Sequence, residues 1–141
     1  MAKYEVVNGV AIIPEGVTEI EDEAFYDCES LISVVIPSSV TAIGDYAFRG
    51  CTSLTSIEIP SSVTKIGWNA FEDCDSLTSI VIPEDVTEIG EFAFNGCTSL
   101  TSVVINGKIK KIDIRVFGLC ENLESITLPT PSKDYATFAG W

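Results

Sequence analysis

Apolar and polar positions along this chain recur with a single period of 23 residues, unbroken from Ile13 to Leu128. Leu31, Leu54, Leu77, Leu100 and Leu123 share one column of that period, and Ile20, Ile43, Ile66, Ile89 and Ile112 another. The same step links Phe25, Phe48, Phe71, Phe94 and Phe117, and it links Cys28, Cys51, Cys74, Cys97 and Cys120. A longer column runs Ile13, Ile36, Ile59, Ile82, Ile105 and Leu128, most of its members preceding a proline. Residues 37–59 and 60–82 agree at 16 of 23 positions. The unit reads Leu-x-x-Val/Ile-x-Ile/Leu-Pro-x-x-Val/Ile-x-x-Ile/Leu-x-x-x-Ala/Val-Phe-x-x-Cys-x-x.

Each part of the unit predicts an element. The opening, as in Leu54 to Ile59, alternates apolar with small polar residues, the pattern of a short strand with one face buried. Pro60 ends it, because proline cannot donate to a ladder. Val63 and Ile66 then point inward from a second extended stretch, and Gly67 turns the chain, with Gly44 and Gly90 in its column. Ala70, Phe71 and Cys74 sit at i, i+1 and i+4, which predicts one helical turn facing inward. A lone unit cannot bury its apolar side, but stacked units can, each strand pairing with the next in a parallel sheet. Strands are expected near 31–36, 54–59, 77–82, 100–105 and 123–128, with a short one near 10–13. The domain expectation is one solenoid over 1–141, with five units at about 14–128, an N-terminal cap at 1–13 and a C-terminal cap or tail at 129–141. In the first of these flanks, Asn8-Gly9 between two apolar runs signals a hairpin that brings Tyr4 and Val6 or Val7 over the core. In the last, Tyr135, Phe138 and Trp141 are expected to fold over the final rung.

Composition narrows the function classes. Without histidine in the chain, Ser–His and Cys–His nucleophiles and His-ligated metal sites are excluded. Glycines stand singly at turns, so no phosphate-cradling loop is present. Acidic clusters such as Glu19, Glu21, Asp22 and Glu23 lack the spacing of a calcium loop and read as solvated surface. No catalytic, cofactor-binding or metal-binding residue is assigned, and no cofactor is expected. The net charge of −13 disfavours nucleic acid and anionic membrane, and no apolar run reaches the roughly 18 residues of a spanning helix. Charge is uneven: residues 1–105 carry three basic against 17 acidic side chains, residues 106–141 five against four. The five cysteines recur at one inward position of the unit and read as small buried apolar residues, reduced rather than paired.

The Leu-x-x-Val/Ile-x-Ile/Leu-Pro strand and the Ala-Phe-x-x-Cys turn resemble the BspA-like subtype of leucine-rich repeats, over roughly residues 10–129. The resemblance implies an α/β repeat solenoid: a right-handed superhelix with a parallel sheet on one face and short helical turns on the other. It also implies a bacterial or protozoan surface protein, some relatives being adhesins for host matrix or plasma proteins. The fifth unit departs from the pattern, with Asn106 for the proline, Asp113 for the glycine and Val116 for the alanine.

Two surfaces are candidates for binding a protein. The outward strand columns give Ser33, Val35, Thr55, Ser56, Glu58, Thr78, Ser79, Val81, Thr101, Ser102 and Val104, on what is the concave face in such repeats. The columns that vary from unit to unit give Tyr46, Trp68 and Phe92 on three successive rungs, aromatics of the kind that anchor interfaces. The bland alternatives are that small hydroxyl residues make ladders and caps, and that each ring packs on its own turn. The expected function is a non-catalytic protein-interaction module, by resemblance a fragment or relative of a bacterial cell-surface adhesin, whose partner is a host matrix or surface protein. The alternatives are a structural spacer or consensus-like array without a ligand and, more remotely, an enzyme. A secreted or surface location is what the resemblance implies. The absence of a signal peptide from Met1 onward leaves a cytoplasmic location as the alternative. Uncapped ends would favour head-to-tail self-association.

Overall fold

The computed structural model describes residues 4–109 and 112–128. The expectation for Tyr135, Phe138 and Trp141 lies outside the described residues.

The repeat's two extended stretches build parallel ladders. The repeat's opening strand forms β1 (Val10–Ile12), β3 (Ser33–Val35), β6 (Ser79–Ile82), β8 (Ser102–Ile105) and β9 (Ser125–Thr127). Its second extended stretch forms β2 (Glu19–Ile20), β4 (Ala42–Ile43), β5 (Lys65–Ile66) and β7 (Glu88–Ile89). Every strand pairs in parallel with its own repeat equivalent, as in Ser79 with Ser102 and Ile66 with Ile89. That register follows from a period without insertions: a slip of one residue would turn the buried side chains outward.

The core lies between the ladders and the turns. Leu31, Leu54, Leu77 and Leu100 are fully buried, as are Phe25, Phe48, Phe71 and Phe94. The phenyl rings stack along the solenoid, with 5.1 Å between centroids from Phe25 through Phe94 and 5.5 Å on to Phe117. At the amino end, the Asn8-Gly9 turn closes a hairpin between Val7 and Val10. It lays Tyr4 on Phe25 at 5.6 Å and leaves Val7 exposed.

The helical turns expected opposite the sheet are not there in the first four units. Residues 44–51 show why. The N–H groups of Ala47, Arg49 and Cys51 bond back three residues, while those of Tyr46, Phe48 and Gly50 donate to Trp68, Ala70 and Glu72 of the next rung. Tyr46 and Gly50 take left-handed backbone, with φ of 59° and 76°, as do their repeat equivalents Asn69 and Asp73. Two left-handed residues per unit break a right-handed helix, and the freed N–H groups tie rung to rung instead. Alanine, phenylalanine and cysteine still face inward, since consecutive tight turns and one helical turn share that spacing.

The fifth unit alone forms a 3-10 helix among the described residues, Ile114–Phe117, capped by Asp113, which accepts from the Arg115 N–H at 2.8 Å. The glycine column explains the exception. A Cβ on Gly67 would lie 2.7 Å from the Asp45 nitrogen and 2.7 Å from the Gly44 carbonyl carbon. Asp113 brings a Cβ to that position, so its rung cannot repeat the close approach.

Four cysteines are buried and all are free thiols; Cys28, expected to be buried, is only half so because no rung precedes it with a phenylalanine carbonyl. The other four each donate to such a carbonyl, as Cys74 does to Phe48 at 3.2 Å. Burial pushes the Cys51 thiol up to about 12.

Candidate functional site

The strand face carries an exposed apolar stripe. Ile12, Val35 and Val81 are 68%, 54% and 49% exposed. Val35 pairs with Ile12 and Val81 with Val104, so the stripe follows the ladder. Of the predicted face, Thr55, Ser56, Glu58, Thr78 and Ser79 are exposed with Val35 and Val81. Ser33, Thr101, Ser102 and Val104 are half-buried. Ser79 and Ser102 sit side by side, and the Thr101 hydroxyl donates to the Thr78 carbonyl at 3.2 Å. Part of this face therefore serves its own ladder. Sequence reasoning missed Ile12 as a face residue, although the alternation Val10-Ala11-Ile12-Ile13, with Ala11 and Ile13 inward, signals it.

The face is interrupted. Residues 54–59, expected as a strand, pair with neither neighbour, and their one strand-to-strand backbone bond among the described residues runs from Thr55 N–H to the Ile32 carbonyl, 3.2 Å. The ladder thus divides into β1–β3 on one side and β6–β8–β9 on the other. Glu58 stands where its neighbours have Val35 and Val81. A carboxylate held between two valines would lose water without gaining a partner, and so disfavours the cross-strand contact. A cleft of about 810 Å³ opens at the break, lined by Ile57, Glu58, Pro60, Val81, Glu84 and Asn106 among others.

The turn side carries the second surface. Trp68 is 62% exposed and Tyr46 36%, whereas Phe92 is half-buried beneath the Arg115 guanidinium, 5.7 Å from its ring centre. Trp68 and Tyr46 are neighbours, the Tyr46 N–H donating to the Trp68 carbonyl at 2.9 Å. The three rings do not form one column: Tyr46 and Phe92 occupy the left-handed position, and Trp68 the position before it. The Asp45 carboxylate accepts the Trp68 backbone N–H at 2.8 Å, and Asp22 does the same for Asp45. These two aspartates of the variable column therefore fasten rungs.

A polar column went unread in the sequence. Tyr26, Arg49, Glu72 and Asn95 follow one another at the 23-residue step. Arg49 donates to Tyr26 Oη at 2.7 Å and to Glu72 at 2.6 Å, and Asn95 donates to Glu72 at 3.2 Å. The Glu72 hydrogen bond raises the Arg49 pKa, so the guanidinium stays charged. The signal lay in reading the column downward, where donor and acceptor alternate.

The family description "BspA type Leucine rich repeat region (6 copies)" matches residues 18–139. The chain belongs to this leucine-rich-repeat family. Its six copies extend past the five full units counted from the sequence. The fold of this leucine-rich-repeat chain is similar to that of a leucine-rich cell surface protein from Faecalibacterium prausnitzii, at 35% identity and a TM-score of 0.87, covering 99% of this chain and 37% of that one. It is also similar to a leucine-rich repeat protein of T. pallidum, at 33% identity and a TM-score of 0.66, covering 85% and 69%. The pneumococcal vaccine antigen PcpA shares the fold at 23% identity and a TM-score of 0.84, covering 90% and 32%. The chain thus spans about a third of the length of the surface protein and of the antigen. No curated protein matches it. Among the described residues no helix is long and apolar enough to cross a membrane, and no group of three or more acidic or thiol side chains is placed to hold a metal ion.

Proposed function

We propose that this chain is a non-catalytic protein-interaction module of a cell-surface protein, and that its ligand lies on the strand face. The observation that carries the reading is the exposed apolar side chains on the two ladders that flank the cleft at Glu58, Ile12 with Val35 on one and Val81 on the other. Exposed apolar side chains grouped on either side of a cleft are of the kind that mark a partner's seat. The related proteins called cell surface protein and vaccine antigen support the location, with a cytoplasmic module as the alternative. By resemblance, the partner is a matrix or surface protein of a host. The repeats make one domain, and a rung left uncapped at either end would associate head to tail.

A second reading, a spacer without a ligand, is favoured by one observation. The Ser79–Ser102–Ser125 column repeats itself and its neighbour hydroxyls serve the ladder. Binding of the immobilised chain to purified matrix and plasma proteins, with a Val35→Glu/Val81→Glu double variant beside it, separates the two. A ligand lost in the double variant at unchanged melting temperature supports the module. A panel that never binds, or a ligand indifferent to both substitutions, removes the strand-face reading.

A further inference from the structure

The turn side uses one device twice to hold a cation. At one place the Arg49 guanidinium lies 5.5 Å from the centre of the Tyr26 ring, with Glu72 at 2.6 Å and Asp73 at 4.0 Å. At the other, Arg115 lies 5.7 Å from the Phe92 ring centre, with Asp113 at 2.8 Å and Glu91 at 3.0 Å. In both, an arginine from the next rung meets the ring, at the Tyr26 hydroxyl in the first and over the Phe92 face in the second, and acidic residues grip its edge. The geometry rewards both the ring quadrupole and the planar fork of the guanidinium.

A third ring of the same surface has the carboxylates and lacks the arginine. Trp68 is 62% exposed. Its indole lies against Gly90, whose missing side chain leaves the room, since a Cβ there would collide with Cδ1 of the indole. One rung on from Trp68, where the other rings receive an arginine, the chain has Glu91. A hollow of about 450 Å³ beside the ring is lined by Trp68, Asp45, Glu88, Glu91 and Lys65. Among the described residues Glu88 makes no ion pair, and Lys65 makes neither an ion pair nor a cation–π contact with the indole. Residues 1–105, which contain the whole hollow, hold only three basic side chains against 17 acidic ones, so the surrounding field favours a cation.

We propose that the hollow beside Trp68 seats an arginine side chain of a basic segment of the partner protein, its guanidinium over the indole and its edge toward Asp45 and Glu88. Tryptophan is the strongest of the three aromatic rings for this contact. The proposal rests on the reading of the chain as a protein-binding module, and gives the partner its chemistry. Lys65 sets a sign: its charge in the same hollow opposes an incoming arginine, so removing it strengthens binding.

The test is a fluorescence titration. The chain has two tryptophans, so a Trp141→Phe background leaves Trp68 as the sole reporter. The probe is a blocked six-residue peptide alternating arginine with serine, beside the same peptide with neutral citrulline for arginine. The arginine peptide should change the Trp68 emission saturably at low salt, and citrulline should not. By calorimetry in the parent chain, Trp68→Ala should weaken arginine-peptide binding by about fivefold or more, at unchanged circular dichroism and melting temperature. Lys65→Ala should tighten it by roughly two- to fivefold. Equal binding of the citrulline peptide, a Trp68→Ala affinity within twofold of the parent, or no saturable binding overturns the proposal. A protein ligand that loses affinity in the Val35→Glu/Val81→Glu variant but not in Trp68→Ala would overturn it too, and leave the strand-face reading standing.

Discussion

One rung of this solenoid behaves differently on its two sides. On the turn side the third rung is held as its neighbours are. Phe71 stacks at 5.1 Å on both Phe48 and Phe94, β5 bridges β4 and β7, and the N–H groups of Asn69, Phe71 and Asp73 reach Glu91, Ala93 and Asn95 of the next rung. On the strand side the same rung, residues 54–59, forms no ladder. Leu54 and Ile59 stay buried nonetheless. Rung spacing is thus set by the turns and the ring stack, and the strand ladder follows where side chains permit. Backbone pairing on the exposed face is the most dispensable layer, and that leaves it free to carry a binding surface.

The largest test of this ranking removes the stack. Phe71→Ala takes a fully buried ring from mid-solenoid and should cost about 3–5 kcal/mol in urea unfolding, the usual range for such a cavity. A loss below about 1 kcal/mol would mean that the strands set the spacing after all.

Gly67→Ala attacks the turn side without making a cavity. The new Cβ meets backbone of the preceding rung at 2.7 Å, where little can give. The expected loss is about 1–3 kcal/mol by overpacking, and Gly16→Ala, where nothing lies within 4 Å but φ is +92°, separates crowding from backbone strain. Equal losses at both sites would remove the close-approach argument.

A smaller effect comes from base. Folding raises the Cys51 thiol from 9.0 to about 12 through burial. A group raised on folding stabilises fully below its unfolded value, so this contribution is intact below pH 9 and is lost as pH climbs toward 12. By pH 10 this thiol alone should have weakened the chain by roughly 1 kcal/mol, and Cys51→Ala should make the slope shallower. An unchanged slope in the variant would assign the alkaline loss elsewhere.

The smallest change should mend the strand side. Glu58→Val restores the residue type found at Val35 and Val81. It should add about 0.2–1 kcal/mol through cross-strand contacts and slow hydrogen exchange at the amides of Ser56 to Ile59. Exchange that stays fast would show that Glu58 is not the cause of the break.

Much of this was legible in the sequence. The uninterrupted period dictates rungs in register, and the inward columns were read correctly down to Ala70, Phe71 and Cys74 because burial follows spacing alone. The backbone of the turn was not legible from that spacing. Helix and consecutive turns place the same residues inward, and the left-handed position is filled by Glu23, Tyr46, Asn69 and Phe92, of which only asparagine is a usual sign. A better sign was the alternation Asp27, Gly50, Asp73, Gly96 at the second left-handed position. For the candidate surfaces, alternation identified Val35 and Val81 as outward. It could not show the opening at Glu58, which depends on how one charged residue fares between two valines. The arginine seats at Tyr26 and Phe92 needed distances between rungs that no single unit contains.

The register also bears on how such a protein changes length. Each ladder residue pairs with its own counterpart one period on, so a duplication or deletion of any whole 23-residue stretch joins like to like, whatever its starting point. Unequal recombination within the coding sequence therefore yields chains that differ in rung number and need no new contacts. Each added unit extends the stack by about one ring spacing, 5.1 Å, although its 23 residues would reach roughly 75 Å if pulled straight. A cell that builds outward this way spends many residues on little distance. In exchange the length of the stack changes in small, uniform increments.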